Sequence, residues 1–246
     1  EINSTRDAEV INLELIFADL ETLYKRKDRI EKKLRSGDKE LASEFRLIKN
    51  CLKTLESGDF INIANFSSKE DIKIIKSFQL LTAKPIFFIA NISEADSTQE
   101  NLIALKEYAK KMNQEVIEVQ IKLEEEIASL DEQDKKDFLE LEGIEEPALN
   151  KIIKKGYEIL GLDTFFTAGP NELRAWTLKR GSLAPQAAGR IHTDFERGFI
   201  KAEVISFEDY ISFGGEAGSK ENGKLRLEGK EYIFKDGDIA HFKFNV

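Results

Sequence analysis

Cysteine occurs once in these 246 residues, methionine once, tryptophan once, histidine twice and proline four times. A single thiol, Cys51, closes no internal disulfide, which suits a reducing compartment and points to the cytoplasm. One cysteine and two histidines (His192, His241) exclude a Cys/His zinc site. They also leave little material for Ser-His or Cys-His nucleophilic catalysis. Long apolar runs are missing too: the longest is Pro85-Ile86-Phe87-Phe88-Ile89-Ala90, far short of a bilayer-spanning helix. No apolar stretch with a basic flank opens the sequence, so it offers no signal peptide. It begins at Glu1 rather than Met, and the expectation is a fragment or a processed form. Neither GxxxxGK[ST] nor DxxG occurs, so a phosphate-cradling loop of backbone N–H groups is not encoded here. GxSxG and HExxH do not occur either.

Charge is abundant. Lys+Arg 37 against Asp+Glu 46 gives −9, and the excess is local. Residues 1–81 balance 15 bases with 15 acids and 164–246 balance 12 with 12, whereas 82–163 set 10 against 19. That balance argues against coating nucleic acid through a global field. One basic cluster stands out: Lys25, Arg26, Lys27, Arg29, Lys32, Lys33, Arg35 and Lys39, with three acids among them.

No Gly or Pro interrupts Asp7 to Arg35, and Leu13, Ile16, Leu20, Leu23, Ile30 and Leu34 fall on a and d positions of a heptad frame. Ser36-Gly37-Asp38 is a stop and restart, after which Leu41, Phe45, Ile48, Leu52 and Leu55 recur at helical spacing. So short a turn predicts an antiparallel helical hairpin with the basic cluster at its tip and Cys51 on its apolar seam. Ser67 or Ser68 caps a further helix. Lys84 to Asn91 then reads as a strand buried on both faces of a parallel sheet. A helix near Ser97 to Met112 and a strand from Glu115 to Val119 complete a βαβ unit, hence an α/β sheet. Helices follow at 123–127, 133–141 and 146–160, the last with Pro147 at its start. From about residue 162 the pattern predicts a hairpin (164–178), a helix near 187–195, a strand 200–205, a short helix 207–211, a glycine-rich loop, and strands at 232–234 and 239–244. This is a small α+β roll of the β-grasp kind.

Among candidate sites, Asn91-Ile92-Ser93-Glu94 ends the buried strand, at the carboxyl edge where α/β sheets bind ligands. An Asn amide offers a purine edge both a donor and an acceptor, and a carboxylate favours groups that donate. On these four residues alone, a turn capping the next helix is the simpler reading.

Several longer strings carry more: Arg6-Asp7-Ala8-Glu9-Val10-Ile11-Asn12, Lys84-Pro85 through Asn91-Ile92-Ser93-Glu94, Glu146-Pro147-Ala148-Leu149-Asn150, Phe166-Thr167-Ala168-Gly169, Arg174-Ala175-Trp176-Thr177, the block Ala184 to Glu196, Gly198-Phe199-Ile200 and Phe244-Asn245-Val246. In these the chain resembles, end to end, the Obg-related P-loop nucleotidases of the YchF type, the Obg-like ATPases. The resemblance implies a partial OBG-type, Ras-like G domain at 1–6 and 82–161, an inserted helical hairpin at 7–81, and a ubiquitin-like TGS domain at 162–246. It implies an NxxE base-recognition motif, associated with ATP as well as GTP, on Asn91, Ile92 and Glu94. A second base contact maps to Gln120, Ile121 and Lys122, which depart from the family's small Ser/Cys-Ala pattern. The family's phosphate loop, magnesium-binding threonine, DxxG switch and water-positioning histidine all lie upstream of the segment matching Glu1. ATP or GTP with Mg²⁺ is therefore implied for the parent protein, with no catalytic residue and no metal ligand in this chain, which alone is expected to be inactive.

The resemblance also implies a ribosome or RNA partner and a protein partner through the hairpin or the TGS part; the short apolar runs add the expectation of no membrane. Lys25, Arg26, Lys32, Lys33, Lys179, Arg180 and Arg190 are the candidate contacts, although a basic helix tip also reads as a solvated end. The alternative is an RNA-, ribosome- or protein-binding module with no NTPase activity of its own. His192 reads as a polar contact within the small domain, and Trp176, Phe165 and Phe166 as core.

Overall fold

A computed structural model describes residues 2–35, 41–93, 97–169 and 172–245, the side chains of Ser97 and Thr98 excepted. The expected Ser36-Gly37-Asp38 turn, Lys39 and Glu94 lie outside the described residues. The fold is mixed α/β and divides into two compact units, Glu1–Ile152 and Ile153–Val246. Among the described residues no helix is long and apolar enough to cross a membrane.

The first unit opens with helices α1 (Ser4–Arg35), α2 (Ala42–Glu56) and α3 (Lys69–Ser77). Ile16, Leu23 and Ile30 of α1 face Leu47, Ile48, Cys51, Leu52 and Leu55 of α2 in one buried cluster, which Ile75, Phe78 and Leu80 close. Every seventh residue of α1 is thus buried, as the heptad frame requires. Leu13, expected on the same seam, is exposed. The reason is length: α1 has 32 residues and α2 has 15, so at about 1.5 Å per residue α2 cannot reach the first turns of α1. Those turns lean instead on α4, where the Asn12 Nδ2 donates to the Tyr108 hydroxyl at 2.8 Å. Ser68 caps α3 by accepting from the Asp71 amide.

Cys51 is 1 % exposed on that seam. Burial, with the Asp19 charge adding to it, pushes its thiol up to about 11. Under native conditions at pH 8, iodoacetamide should therefore leave Cys51 unlabelled, and labelling should appear only across the unfolding transition. Fast stoichiometric labelling of the folded chain would contradict this packing.

Strand β1 (Phe88–Asn91), α4 (Ser97–Lys111) and β2 (Val116–Val119) form the predicted βαβ unit, with β1 and β2 parallel and Asn91 opposite Val119. The expectation of a strand from Lys84 buried on both faces is corrected. β1 has four residues that alternate half-buried and exposed, and Ile89 is 51 % exposed. Only two strands make up this sheet among the described residues, so one face lacks the cover that a wider sheet would bring. Helices α5 (Ile121–Ser129), α6 (Glu132–Leu141) and α7 (Ala148–Leu160) follow, α7 running across the division between units. The Glu124 carboxylate accepts the first amides of α7, from Ala148 at 2.6 Å and Leu149 at 3.3 Å. This meets orphan N–H groups and the positive helix end together.

In the second unit, β3 (Leu162–Ala168), β4 (Leu173–Lys179), β5 (Phe199–Ile205), β6 (Arg226–Glu228) and β7 (Ile239–Phe244) make a five-stranded sheet ordered β4-β3-β7-β5-β6. β3 and β7 are parallel and the other pairs antiparallel. Helices α8 (Ala184–Ile191) and α9 (Thr193–Arg197) replace the single helix expected near 187–195, the break falling at His192, whose Nδ1 caps α9 by accepting from the Asp194 amide. Ala184, Ala187 and Ala188 of α8 pack with Phe165, Leu178, Val204, Phe234 and Phe242. Two short helices, α10 (Phe207–Ser212) and α11 (Glu216–Glu221), occupy the segment around the predicted glycine-rich loop. Tyr232–Phe234 is not a strand: one bridge, Leu183 to Ile233, holds it while Phe234 fills the core. At Gly237, the predicted tight turn has a φ of 82°, which favours glycine.

Candidate functional site

The parallel pairing of β1 and β2 brings their carboxyl ends together. Ile92 N–H donates to the Val119 carbonyl at 2.9 Å, so the chain leaves β1 beside the turn that enters α5. Asn91 is exposed at the last position of β1, and its Oδ1 accepts the Ile121 N–H at 3.3 Å. That bond fixes the amide's orientation: the oxygen faces the turn, and both Nδ2 hydrogens stay available to a ligand acceptor. Gln120 is the N-cap residue of α5 with no side-chain cap bond, and Ile121 is 54 % exposed.

A cleft of about 350 Å³ opens here, lined by Asn91, Ile92, Ser93, Gln120, Lys122, Leu123 and Glu126. Its size is at the lower end for small-molecule sites, enough for a ring system. The structure thus brings Asn91, Ile92, Gln120 and Lys122 to one cleft, with Ile121 tied to Asn91 through its amide. Ser93 belongs to the candidate motif, without a role of its own assigned there, and Leu123 and Glu126 were missed. Residues 120, 123 and 126 share a face by i, i+3 spacing, a signal that needs α5 to start at Ile121 rather than Leu123. A second cavity, of about 1080 Å³, touches the other side of Asn91 and Ile92. It is walled by 2–8 and Ile11, by Phe88–Ala90, and by α4 residues including Asn101 and Leu105.

The basic candidates fall in different settings. Lys25 is exposed and pairs with Glu21, and Lys32 and Lys33 are exposed on α1. Arg26 is taken into the fold: its Nε donates to Glu44 at 2.6 Å and its guanidinium lies 4.7 Å from the centre of the Phe78 ring. Lys179 is exposed at the end of β4. Arg180 donates through Nε to the buried Asp163 at 3.1 Å, and Arg190 through Nε to the Thr177 carbonyl at 2.8 Å. Among the described residues, no group of three or more His, Cys, Asp or Glu side chains could hold a metal ion.

Comparison with known proteins gives three findings. The family YchF-GTPase_C, described as a protein of unknown function (DUF933), matches residues 162–245. The ribosome-binding ATPase YchF of Bacillus subtilis is 47 % identical over 250 residues, covering all of this chain and 68 % of its own length, and that of Escherichia coli O157:H7 is 46 % identical over 248 residues with the same coverage. Among solved structures, the YchF GTPase of Schizosaccharomyces pombe superposes with a TM-score of 0.85 at 31 % identity, over 99 % of this chain and 67 % of that one. A GTP-binding protein of Pyrococcus horikoshii OT3 shares the fold at a TM-score of 0.54 and 16 % identity, over 98 % of this chain and 71 % of the other.

Proposed function

The chain belongs to the YchF family, and we propose that it grips the purine base in a ribosome-associated, nucleotide-binding protein whose phosphate-binding loop is supplied by polypeptide outside these 246 residues. On this reading 1–6 and 82–161 form part of an OBG-type G domain, 7–81 an inserted helical hairpin, and 162–246 a TGS domain. The observation that supports it most is the bond from Ile121 N–H to Asn91 Oδ1, beside a cleft of ring size at the carboxyl edge of a parallel pair. Asn91 Nδ2 then donates to a purine ring nitrogen, Gln120 and Lys122 border the base, and Ile92 and Ile121 lend apolar surface. Glu94, outside the described residues, would accept the exocyclic amine. No step is assigned to a metal here. Exposed Lys25, Lys32 and Lys33 in the first unit, and separately Lys179, Arg180 and Arg190 in the second, offer cationic groups to a ribosomal or RNA partner in the cytoplasm, in keeping with the names of the relatives.

Base recognition without phosphate contacts has a distinctive signature. Titrated into the 246-residue chain, adenosine and ATP should bind weakly and within about threefold of each other, because triphosphate contacts supply most of the affinity in P-loop enzymes. Asn91→Ala should weaken both on the order of tenfold, the worth of one well-placed hydrogen bond. ATP turnover should stay at the level of buffer. Equal binding by Asn91→Ala, or sustained hydrolysis by the chain itself, would overturn the assignment.

A further inference from the structure

The five-stranded sheet has two edges, and they are treated differently. β6 is three residues long, too short to template another strand, whereas β4 has seven. The register of β4 on β3 decides which groups of β4 are spare. Arg180 N–H donates to the Gly161 carbonyl and Gly169 N–H to the Glu172 carbonyl, so residues 172, 174, 176, 178 and 180 spend their backbone groups on β3. Leu173, Ala175, Thr177 and Lys179 point theirs outward. At the far end two of the outward carbonyls are occupied: Thr177 C=O accepts from Arg190 Nε at 2.8 Å, and Lys179 C=O accepts from the Ser182 amide at 3.0 Å and hydroxyl at 2.6 Å. Among the described residues nothing covers Leu173 and Ala175 in this way, and Leu173 is 78 % exposed.

We propose that the outer edge of β4, from Leu173 to Thr177, docks an extended acidic peptide segment of a partner protein as a sixth strand. The occupant follows from the chemistry of the edge. The N–H and C=O of Leu173 and Ala175 and the N–H of Thr177 alternate at two-residue spacing, a pattern that a peptide backbone answers and a phosphodiester chain does not. Basic side chains set the sign: Arg174, Lys179, Arg180 and Arg190 border the edge against two acids, Glu172 at 3.8 Å from Arg174 and the buried Asp163 at 3.1 Å from Arg180, in a chain whose overall charge is −9. Arg174 lies with its guanidinium 4.2 Å from the centre of the Trp176 ring and more than half exposed, so its charge is held beside the edge yet open to a carboxylate. A second copy fits poorly, because antiparallel pairing about Ala175 would bring the two basic sets together. The uncovered stretch accepts about four or five residues of partner at roughly 3.3 Å each.

The test uses the whole 246-residue chain and a fluorescein-labelled octapeptide of alternating Glu and Val, followed by anisotropy at low salt. Saturable binding is expected, weakened at least tenfold by Ala175→Pro. That substitution deletes an outward N–H and leaves the ladder to β3 intact. Should Ala175→Pro disturb folding by circular dichroism, the same octapeptide N-methylated at alternate residues tests the backbone pairing on the unaltered chain and should lose binding to the same degree. Arg174→Glu with Lys179→Glu should also weaken it, and a Lys-Val octapeptide should not bind. No binding by the acidic octapeptide, or binding indifferent to N-methylation, overturns the proposal. So does full displacement by a single-stranded RNA that binds Ala175→Pro as well as the parent, or a dimer that Ala175→Pro dissolves. None of these outcomes bears on the nucleotide site.

Discussion

Asp19→Ala is expected to destabilise the first unit by about 3–5 kcal/mol, the range for breaking a buried charged hydrogen-bond set from one side. Asp19 is 3 % exposed on α1. One carboxylate oxygen accepts the Leu81 amide at 2.8 Å, and the other accepts the Thr82 amide at 2.8 Å and the Thr82 hydroxyl at 2.7 Å. Thr82 is itself 2 % exposed, so alanine would strand its backbone donor and its hydroxyl without water at hand, and would also take the partner from the amide of Leu81, a residue 37 % exposed. Asparagine is no substitute, since its NH₂ would meet a donor head-on. The consequence reaches past stability, because Leu81 and Thr82 begin the approach to β1 that carries Asn91. Urea unfolding followed by far-ultraviolet circular dichroism measures the effect, with Glu21→Ala as control. Glu21 is solvent-exposed and paired only with Lys25, so its removal should leave the midpoint where it was. A midpoint for Asp19→Ala as high as the control's would refute the account.

Asp19 also shows where reading the sequence stops. Helical spacing identifies the α1–α2 seam because every partner there is apolar and the period is local. It cannot identify an acid whose donors lie 62 and 63 residues further on. The same limit governs Arg26, which counts as one cation among eight until Glu44 and Phe78 are seen to hold it. The apolar run finds β1 but starts it at Lys84 rather than Phe88 and gives it the wrong environment: such a run says that a strand is there and leaves open how many strands flank it. At 232–234 the error ran the other way. Phe234 is buried like a strand residue, yet burial alone does not make a ladder when, among the described residues, the only bridge is Leu183 to Ile233.

At the candidate site, Asn91 was legible because the apolar run ends on it, whereas Gln120 to Lys122 were reached only through the family resemblance. Juxtaposition of the two ends follows from parallel pairing with a helical crossover. What the sequence could not supply is the direction of the amide, set by the Ile121 N–H, or the cleft walls Leu123 and Glu126, which depend on where α5 starts. The β4 edge was illegible for a related reason. Arg174-Ala175-Trp176-Thr177 reads as a strand, but only the sheet order makes it an edge and only the register makes Ala175 outward.

Phe165→Ala should cost the second unit about 3–5 kcal/mol, at the top of what a single core truncation removes. Phe165 is fully buried on β3, stacked with Trp176 at 6.5 Å between ring centres and edge-on to Phe234 at 5.3 Å and Phe242 at 5.9 Å. Three other rings thus lose a face at once, and the buried residues that α8 contributes to this core are alanines, short side chains that cannot move in to fill the space, with Ile191 only partly buried at the helix end. Phe166, one position along, points to the opposite side of the pleat, half-buried and 6.0 Å from Phe207, so its truncation should cost less than half as much. Trp176 is the only tryptophan and touches the mutated site, so its fluorescence reports this unit during urea unfolding. A large loss at 165 with a small one at 166 is the outcome that alternation demands. Equal losses at both positions would mean that the sheet does not present one covered and one open side here, and the outward register assigned to Ala175 would fall with it.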